Sequence, residues 1–476
     1  MKNTRQNKKI LATLIGLFGF FCVVTITYSI MNNAENNPDR IMQSKKDKNK
    51  KTDARQLELN EAKDTSSEIR NEPSALFNDP AIKQAWGLKK SDAGRAWSVT
   101  KGNKKVIVAI IDTGIDEKHE DLKGNLWTNP GETGLDAKGR NKATNGIDDD
   151  GNGFIDDVHG WNFVSSNNKL DDNHGHGTHI AGIVGAEAGN NKGIRGISPE
   201  VSLMVLKYFD PKVPNNDNLK NTVSSIEYAV KMGAHIINYS GGGTDFSQEE
   251  HDAIEKAEAQ GILFVAAAGN ERSNSDKFHY YPADYKLKNI ISVTAIDPTT
   301  EVLSSSNYGT ETVDIAAPGQ NILSCLPQNT YGLMTGTSQA TAFVTGAAVL
   351  VMAHKNLYNN AEEIKKYILA TGDSTSSLVG KTRTSRQLNL FKALTILEGT
   401  KTAFSGVDTG SIQDRRVFSN RDKGNDPNMK QDEGTKSLND VASFGQEFLK
   451  SVKGAQNKKK KAEKVGTEIQ PDSGQN

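Results

Sequence analysis

The chain has 476 residues, of which 35% are hydrophobic, and its 58 basic and 58 acidic side chains give a formal net charge of zero. This length exceeds what one core usually supports, so we expect one large domain with appendages or two domains. The neutral balance argues against a nucleic-acid partner, and two cysteines, Cys22 and Cys325, cannot provide a disulfide framework.

The N-terminus predicts export. A basic stretch, "MKNTRQNKK", precedes a run of mostly apolar residues without a charge at positions 10–31. That length suits either a cleaved signal peptide, with Ala34 as the best cleavage residue, or an uncleaved membrane anchor. Both alternatives stay open, and Phe21 before Cys22 argues against lipid attachment. We therefore predict that residues 1–34 are a signal peptide or membrane anchor, and that the protein is secreted or anchored outside the membrane.

Composition divides the rest of the chain into three parts. Residues 35–75 are polar and highly charged, which predicts a linker or a short pro-segment. Residues 76–398 alternate short apolar runs with Gly, Asn and Asp turns and amphipathic stretches. Residues 399–476 are polar again and include "NKKKKAEK", which predicts a disordered tail.

The middle segment predicts an α/β fold. Its fully apolar runs are typical of buried parallel strands: "KKVIVAIID", "VSLMVLKYF", "AHIINYS", "GILFVAAAGN" and "NIISVTAI". Amphipathic stretches ended by glycine lie between some of them, "NTVSSIEYAVKMG" and "SQEEHDAIEKAEAQG". Alternation of strands and helices predicts a doubly wound, mostly parallel sheet within a three-layer α/β/α sandwich.

The stretch "DDNHGHGTHIAG" contains three histidines, His174, His176 and His179. Their spacing does not place them on one helix face, so zinc would need an irregular loop and a distant ligand. The alternative is one catalytic imidazole that works with a carboxylate and a hydroxyl from elsewhere in the chain.

Two further motifs supply those groups. Asp112 ends the apolar run "VIVAIID", and active sites of open α/β sheets gather at the carboxyl ends of strands. Ser338 follows Gly336 and Thr337 at the start of a helix rich in Ala, Gly and Val. A helix N-terminus favours developing negative charge. Each motif alone also fits a plain structural role, a turn cap for Asp112 and an N-cap for Ser338.

Together the motifs closely resemble the subtilase (subtilisin-like) family of serine endopeptidases, in which the triad follows the chain order Asp, His, Ser. The matching stretches are "AIIDTGID", "HGHGTHIAG", "INYSGGG", "VAAAGN" and "MTGTSQATAFVTG". The resemblance implies peptide-bond hydrolysis through an acyl-enzyme intermediate. It assigns Ser338 as nucleophile, His176 as general base, Asp112 as the residue that orients the imidazole, and Asn270 as oxyanion donor.

The same resemblance implies two walls of a substrate groove. One wall pairs with the peptide as an added strand, and the other borders the side chain that precedes the cleaved bond. The residues of the two walls are Ser240, Gly241 and Gly242, and Ala267, Ala268 and Gly269. Glu271 would lie at the rim and Tyr280 would narrow the base. Gln339 departs from the family pattern, which usually has methionine after the nucleophile.

The acidic stretch "NGIDDDGNGFIDD" predicts a calcium site, because its spacing reproduces the opening of an EF-hand-like loop. The closing glutamate is absent, since His159 occupies its position. The candidate ligands of this structural Ca²⁺ are Asp148, Asp150, Asn152, Asp156 and Asp157. Residues 189–199 resemble, in shortened form, the family's other calcium loop.

The expected partners are polypeptide substrates, with no nucleic acid, membrane contact only through the N-terminal segment, and a monomeric state. A catalytically silent relative that binds peptides is the main rival hypothesis, and an adhesive protein that uses the charged tail is a weaker one. Retention of Asp112, His176, Asn270 and Ser338 together argues against a silent binder, which has no need of all four.

Overall fold

The computed structural model describes residues 79–396. Its main sheet has nine strands in the order β10-β11-β7-β6-β5-β4-β1-β3-β2, and all neighbours are parallel except β10 and β11. The bounds are β1 Gly102–Asp112, β2 Gly160–Asn162, β3 Glu200–Lys207, β4 Ile236–Tyr239, β5 Leu263–Ala267, β6 Ile290–Ile296, β7 Ile315–Pro318, β10 Asp373–Ser374 and β11 Arg386–Gln387. Two more strands, β8 Ile322–Leu326 and β9 Thr330–Met334, form an antiparallel hairpin.

Residues 79–396 also contain eight α-helices. They are α1 Trp86–Lys90, α2 Ala93–Val99, α3 His176–Gly185, α4 Asn218–Lys231, α5 Gln248–Ala259, α6 Thr337–Lys355, α7 Ala361–Thr371 and α8 Leu390–Thr395. Short 3-10 turns also occur, among them Pro130–Glu132.

Side chains alternate along β1 between two hydrophobic cores, one on each face of the sheet. Val108 and Ile110 pack with α3 and α6, whereas Ala109 and Ile111 pack with α4 and α5. Successive side chains of a strand point to opposite faces, so a strand that is apolar at every position needs helices on both sides. The three-layer α/β/α sandwich predicted from the sequence is confirmed.

Helix α6 lies within the core. Its residues 337–352 are all buried, and it packs against α3 and against β1, β4, β5, β6 and β7. Small residues allow this close approach: a side-chain carbon placed on Gly346 would lie 2.6 Å from Cβ of Ile197. The Ala, Gly and Val content of the sequence indicated such a buried helix.

The predicted strands and helices are present, but the β8–β9 hairpin was not predicted. The leader, the linker and the tail, residues 1–34, 35–75 and 399–476, lie outside the described residues, so these three assignments stay predictions. None of the helices within residues 79–396 combines the length and apolarity needed to cross a membrane.

Candidate active site

Asp112 and His176 form a buried hydrogen-bonded pair at the carboxyl end of β1. The Nδ1 atom of His176 lies 2.8 Å from Oδ1 of Asp112, and both residues are at most 2% exposed. Burial by itself lowers the pKa of His176, but the attraction and hydrogen bond of the Asp112 carboxylate outweigh it, so the pKa is raised above its ordinary value. The pair keeps the imidazole in one orientation.

The residues that follow Asp112 and His176 bring the two motifs into contact. Thr113 joins the two motifs, because its hydroxyl accepts a hydrogen bond from the backbone N–H of Gly177 at 2.9 Å and donates one to Asp172 at 2.8 Å. Gly177 has no room for a side chain, since a carbon added there would lie 2.1 Å from the carbonyl oxygen of Gly114. The start of α3 therefore contacts the end of β1 directly.

The other two histidines take different positions. His179 is fully buried, its Nε2 lies 2.9 Å from the carbonyl oxygen of Ile322, and burial lowers its pKa to about 3. His174 lies in the loop before α3, with its ring 6.2 Å from the ring of His176. Their surroundings differ, which suits one catalytic imidazole better than a three-histidine metal site.

Ser338 lies in the first turn of α6 and is 3% exposed. Its Oγ donates a hydrogen bond to the backbone carbonyl of Ser240 at 3.2 Å. Ser240 directly follows β4, the strand next to β1, so the sheet brings Ser338 to the edge at which Asp112 and His176 lie. Helices α3 and α6, which carry His176 and Ser338, also pack against each other.

Two neighbours of Ser338 bear on its chemistry. The side-chain oxygen of Asn270 accepts hydrogen bonds from the backbone N–H and the hydroxyl of Thr337, at 3.0 and 3.2 Å. This contact fixes the Asn270 carboxamide beside the residue that precedes Ser338. Gln339 is fully buried, and neither polar atom of its side chain has a hydrogen-bond partner among the described residues.

The two predicted walls of the substrate groove follow neighbouring strands. Ser240, Gly241 and Gly242 come after β4, while Ala267, Ala268 and Gly269 end or follow β5. Sequence comparisons agree with this geometry. The model of the subtilase family matches residues 103–403.

The chain belongs to the subtilase family. It is 32% identical to the thermophilic serine proteinase of Bacillus sp. (strain AK1), over 64% of this chain and 67% of that protein. It is also 32% identical to thermitase of Thermoactinomyces vulgaris, over 67% of this chain and 98% of that protein. A protease of Pseudoalteromonas arctica shares the fold with a TM-score of 0.52 and 21% identity, over 67% of this chain and 98% of its own. The chain is thus a subtilisin-like serine protease, a hydrolase.

An acidic cluster forms a second candidate site in this subtilase. One carboxylate oxygen from each of Glu132, Asp148 and Asp150 lies within 4.8 Å of the others. Glu132 is fully buried, and its Oε2 has no hydrogen-bond partner among residues 79–396. Burial, together with neighbouring carboxylates, raises its pKa. A group of carboxylate oxygens that includes a buried oxygen without a hydrogen-bond partner fits a hard cation such as Ca²⁺.

The other predicted ligands differ in their contacts. The side-chain oxygen of Asn152 accepts a hydrogen bond from the N–H of Phe154. Asp156 accepts from the backbone N–H of Gly146, and Asp157 accepts from Asn129, Asn152 and Tyr228. The structure therefore brings Asp148 and Asp150 together, leaves Asp156 and Asp157 outside this cluster, and adds Glu132.

Residues 189–199, which resemble a second calcium loop, enclose two buried carboxylates that sequence reasoning did not identify. Asp121 accepts hydrogen bonds from the Asn190 amide, the Ile194 N–H and the Tyr331 hydroxyl, and Asp79 accepts from the Gly189 N–H. These donors satisfy the hydrogen-bonding capacity of both carboxylates within the protein. The described contacts therefore favour a loop stabilised by hydrogen bonds over a calcium loop.

Proposed function

We propose that the chain hydrolyses peptide bonds of polypeptides through Asp112, His176 and Ser338. Ser338 Oγ attacks the carbonyl carbon of the cleaved bond while His176 Nε2 takes the hydroxyl proton. The C–N bond then breaks, the amine leaves with that proton, and an ester to Ser338 remains. Water, deprotonated by His176, attacks the ester and regenerates the hydroxyl of Ser338.

The hydrogen bond between Asp112 and His176 carries this proposal. A buried imidazole with a raised pKa is a stronger base than one in water, and Asp112 stabilises the imidazolium that forms. Asn270 and the backbone N–H at the start of α6 would donate hydrogen bonds to the oxyanion of the tetrahedral intermediate.

The test is a comparison of wild type with Ser338→Ala on casein and on a quenched fluorescent peptide. We expect turnover to fall by about 10⁶, as for loss of a triad serine in a subtilisin. A serine-directed covalent inhibitor should label the wild type at Ser338 and leave the variant unlabelled. Full activity in Ser338→Ala would refute the nucleophile assignment, and an inert but folded wild type would support the silent peptide binder.

We also propose a structural Ca²⁺ ion bound by Glu132, Asp148 and Asp150, with Asn152 in the same loop. The supporting observation is the unpaired Oε2 of Glu132: Oε1 accepts a hydrogen bond from the Asp149 N–H at 2.7 Å, whereas a buried carboxylate oxygen without a partner is costly when the group is ionised, and a bound cation offsets that cost. Ca²⁺ would stabilise the folded loop without taking part in hydrolysis.

Export by residues 1–34 remains part of the proposal. Fractionation of cells that produce the full chain would test it: we expect the protease in the medium or on the outer side of the membrane. Recovery of the folded protein only inside the cell would contradict export without affecting the proposed hydrolysis.

A further inference from the structure

Asp172 caps the helix that carries His176. The residue before α3 is Gly175, which has no side chain to accept a hydrogen bond. Asp172 accepts instead: its Oδ2 accepts from the backbone N–H and the hydroxyl of Thr178, at 2.9 and 2.7 Å. Its Oδ1 accepts from the N–H of Gly175 at 2.7 Å. The first turn of α3 is therefore bonded to a carboxylate, whose negative charge suits the positive end of the helix dipole.

The same carboxylate also bonds to the residue that follows Asp112. The hydroxyl of Thr113 donates to Asp172 Oδ1 at 2.8 Å and accepts from the N–H of Gly177 at 2.9 Å. The backbone N–H of Thr113 donates to Asp112 Oδ1 at 2.8 Å, and that oxygen also lies 2.8 Å from His176 Nδ1. Asp172 is thus connected through Thr113 to both members of the buried pair.

A plain helix cap does not need this second connection. The orphan donors of the first turn of α3 belong to α3 itself and to the residue before it. Thr113 directly follows β1 and lies 59 residues before Asp172 in the chain. Asp172 therefore ties the end of β1 to the start of α3, and so fixes how the Asp112 carboxylate meets the imidazole.

Asp172 also adds a second negative charge near the imidazole of His176. Burial lowers the pKa of His176, and the carboxylates of Asp112 and Asp172 both raise it. Two more titratable groups lie on the same segment as His176. The ring of His174 is 6.2 Å from that of His176, and His179 is buried with its pKa lowered to about 3, so His179 stays neutral when the imidazole of His176 titrates.

The other elements that pack against α3 are α6, β8, β1 and β3. Helix α6 is uncharged over residues 337–352, and β8 contains no acidic or basic residue. Lys207 ends β3 beside Asp112, but its ammonium pairs with the Asp210 carboxylate at 2.8 Å. Negative charge at the imidazole therefore comes from Asp112 and Asp172.

We propose that Asp172 is a positioning residue of the active site: its carboxylate holds the start of α3 against the end of β1, so that the imidazole of His176 stays aligned for proton transfer from Ser338. This role rests on the proposed function, because the alignment matters only if His176 accepts that proton. A misplacement of about 1 Å at a reacting group can cost about 10²-fold in rate. The imidazolium that forms during the transfer is also stabilised by the negative charge of Asp172.

The experiment compares full-length wild type with Asp172→Asn and Asp171→Asn on a quenched fluorescent peptide. Asp172→Asn should lower kcat by about 10- to 10²-fold with little change in KM, because the substrate still binds while the imidazole is misaligned. Its kcat/KM profile should also inflect at lower pH than that of wild type, because a charge that stabilises the imidazolium is lost. Asp171→Asn removes the same charge from an exposed neighbour and should match wild type in both measurements.

Thr113 offers a second pair of variants that leaves the bonds between Asp172 and α3 in place. Thr113→Val removes the hydroxyl that connects the two motifs, so kcat should fall about tenfold or more. Thr113→Ser keeps the hydroxyl and should restore kcat. In the double variant Asp172→Asn/Thr113→Val the two losses should not add, because both substitutions break the same connection.

A wild-type kcat and an unmoved inflection in Asp172→Asn would overturn the proposed role. A lower melting temperature without either kinetic change would overturn it as well, since a plain helix cap affects only stability. If Asp172→Asn does not fold, equal kcat values for Thr113→Val and Thr113→Ser would be the contradicting result. Failure of wild type to cleave the peptide, together with no labelling of Ser338 by a serine-directed reagent, would instead refute the proposed function.

Discussion

Asn270 and Thr337 are joined by two hydrogen bonds that end on the same atom. The side-chain oxygen of Asn270 accepts from the backbone N–H and the hydroxyl of Thr337, at 3.0 and 3.2 Å. An amide whose oxygen is engaged in this way presents its NH₂ group to other partners. Ser338, the proposed nucleophile, is the next residue along α6, so the geometry suits donation to the negative charge that would develop on the carbonyl oxygen of a substrate attacked by Ser338.

Asn270→Ala should lower kcat by about 10²–10³ with little change in KM, the order found for loss of one oxyanion donor in a subtilisin. The reason is that the lost hydrogen bond forms in the transition state and not with the bound substrate. Steady-state kinetics on a peptide substrate measure it. Thr337→Val is the matched control, because it removes one of the two hydrogen bonds that orient Asn270. The decrease in kcat for Thr337→Val should be much smaller than for Asn270→Ala. An equal decrease in kcat would assign Asn270 a merely structural role.

Activity should depend on the proton of His176. Its pKa is raised, and only the neutral imidazole can act as base, so kcat/KM should increase with pH through an inflection above 6.5, the ordinary value for histidine. Asp112→Asn should move that inflection to lower pH and reduce kcat by about 10⁴. A pH profile of both enzymes provides the measurement, and an inflection below 6.5 in the wild type would contradict the prediction.

Removal of Ca²⁺ should destabilise the protein. At a free Ca²⁺ concentration of about a hundred times Kd, binding contributes about 2.7 kcal/mol, so for a domain of this size a chelator should lower the melting temperature by roughly 4 °C. Glu132→Gln should abolish the effect of the chelator on the melting temperature, because a neutral amide does not supply the negative charge of the Glu132 carboxylate. Asp156→Asn should keep it, since Asp156 accepts hydrogen bonds from Gly146 outside the acidic cluster. Equal chelator effects in wild type and Glu132→Gln would remove Glu132 as a ligand.

Gln339→Met should stabilise the fold by about 1–3 kcal/mol, because the buried carboxamide of Gln339 has no hydrogen-bond partner among the described residues and methionine has similar volume. Thermal unfolding measures the change. Activity on a peptide should persist, since no catalytic group is removed. A lower melting temperature would indicate that the carboxamide is satisfied, for example by buried water, and that its polarity contributes to stability.

Local patterns predicted the strands and the positions of the chemical groups. Asp112 ends a run of apolar residues that only a buried strand explains, and Ser338 begins a helix of small residues that only a core accommodates. In both cases the residues adjacent in sequence determine whether a strand or a helix forms. The interpretation of His176 as the single base required the flanking "HGTH" pattern, because spacing alone did not distinguish it from His179.

The residues of the acidic cluster could not be predicted in the same way. Glu132 lies on a 3-10 turn sixteen residues before Asp148, and the turn reaches the loop because Gly131 leaves no side chain to collide with Asp150. Asp157 looked equally suitable, yet its oxygens bond to Asn129 and Tyr228. Which acidic residues join the cluster depends on packing between segments that are distant in sequence. Residue spacing within one segment does not predict that packing.

The placement of Ser338 on α6 has a consequence for how the enzyme fails on heating. That helix contacts five strands of the main sheet and is buried along residues 337–352. Its first turn therefore does not unfold separately from the rest of the domain. Thermal inactivation should therefore track the cooperative melting of the whole domain, and a partly unfolded form that still cleaves peptides should not accumulate.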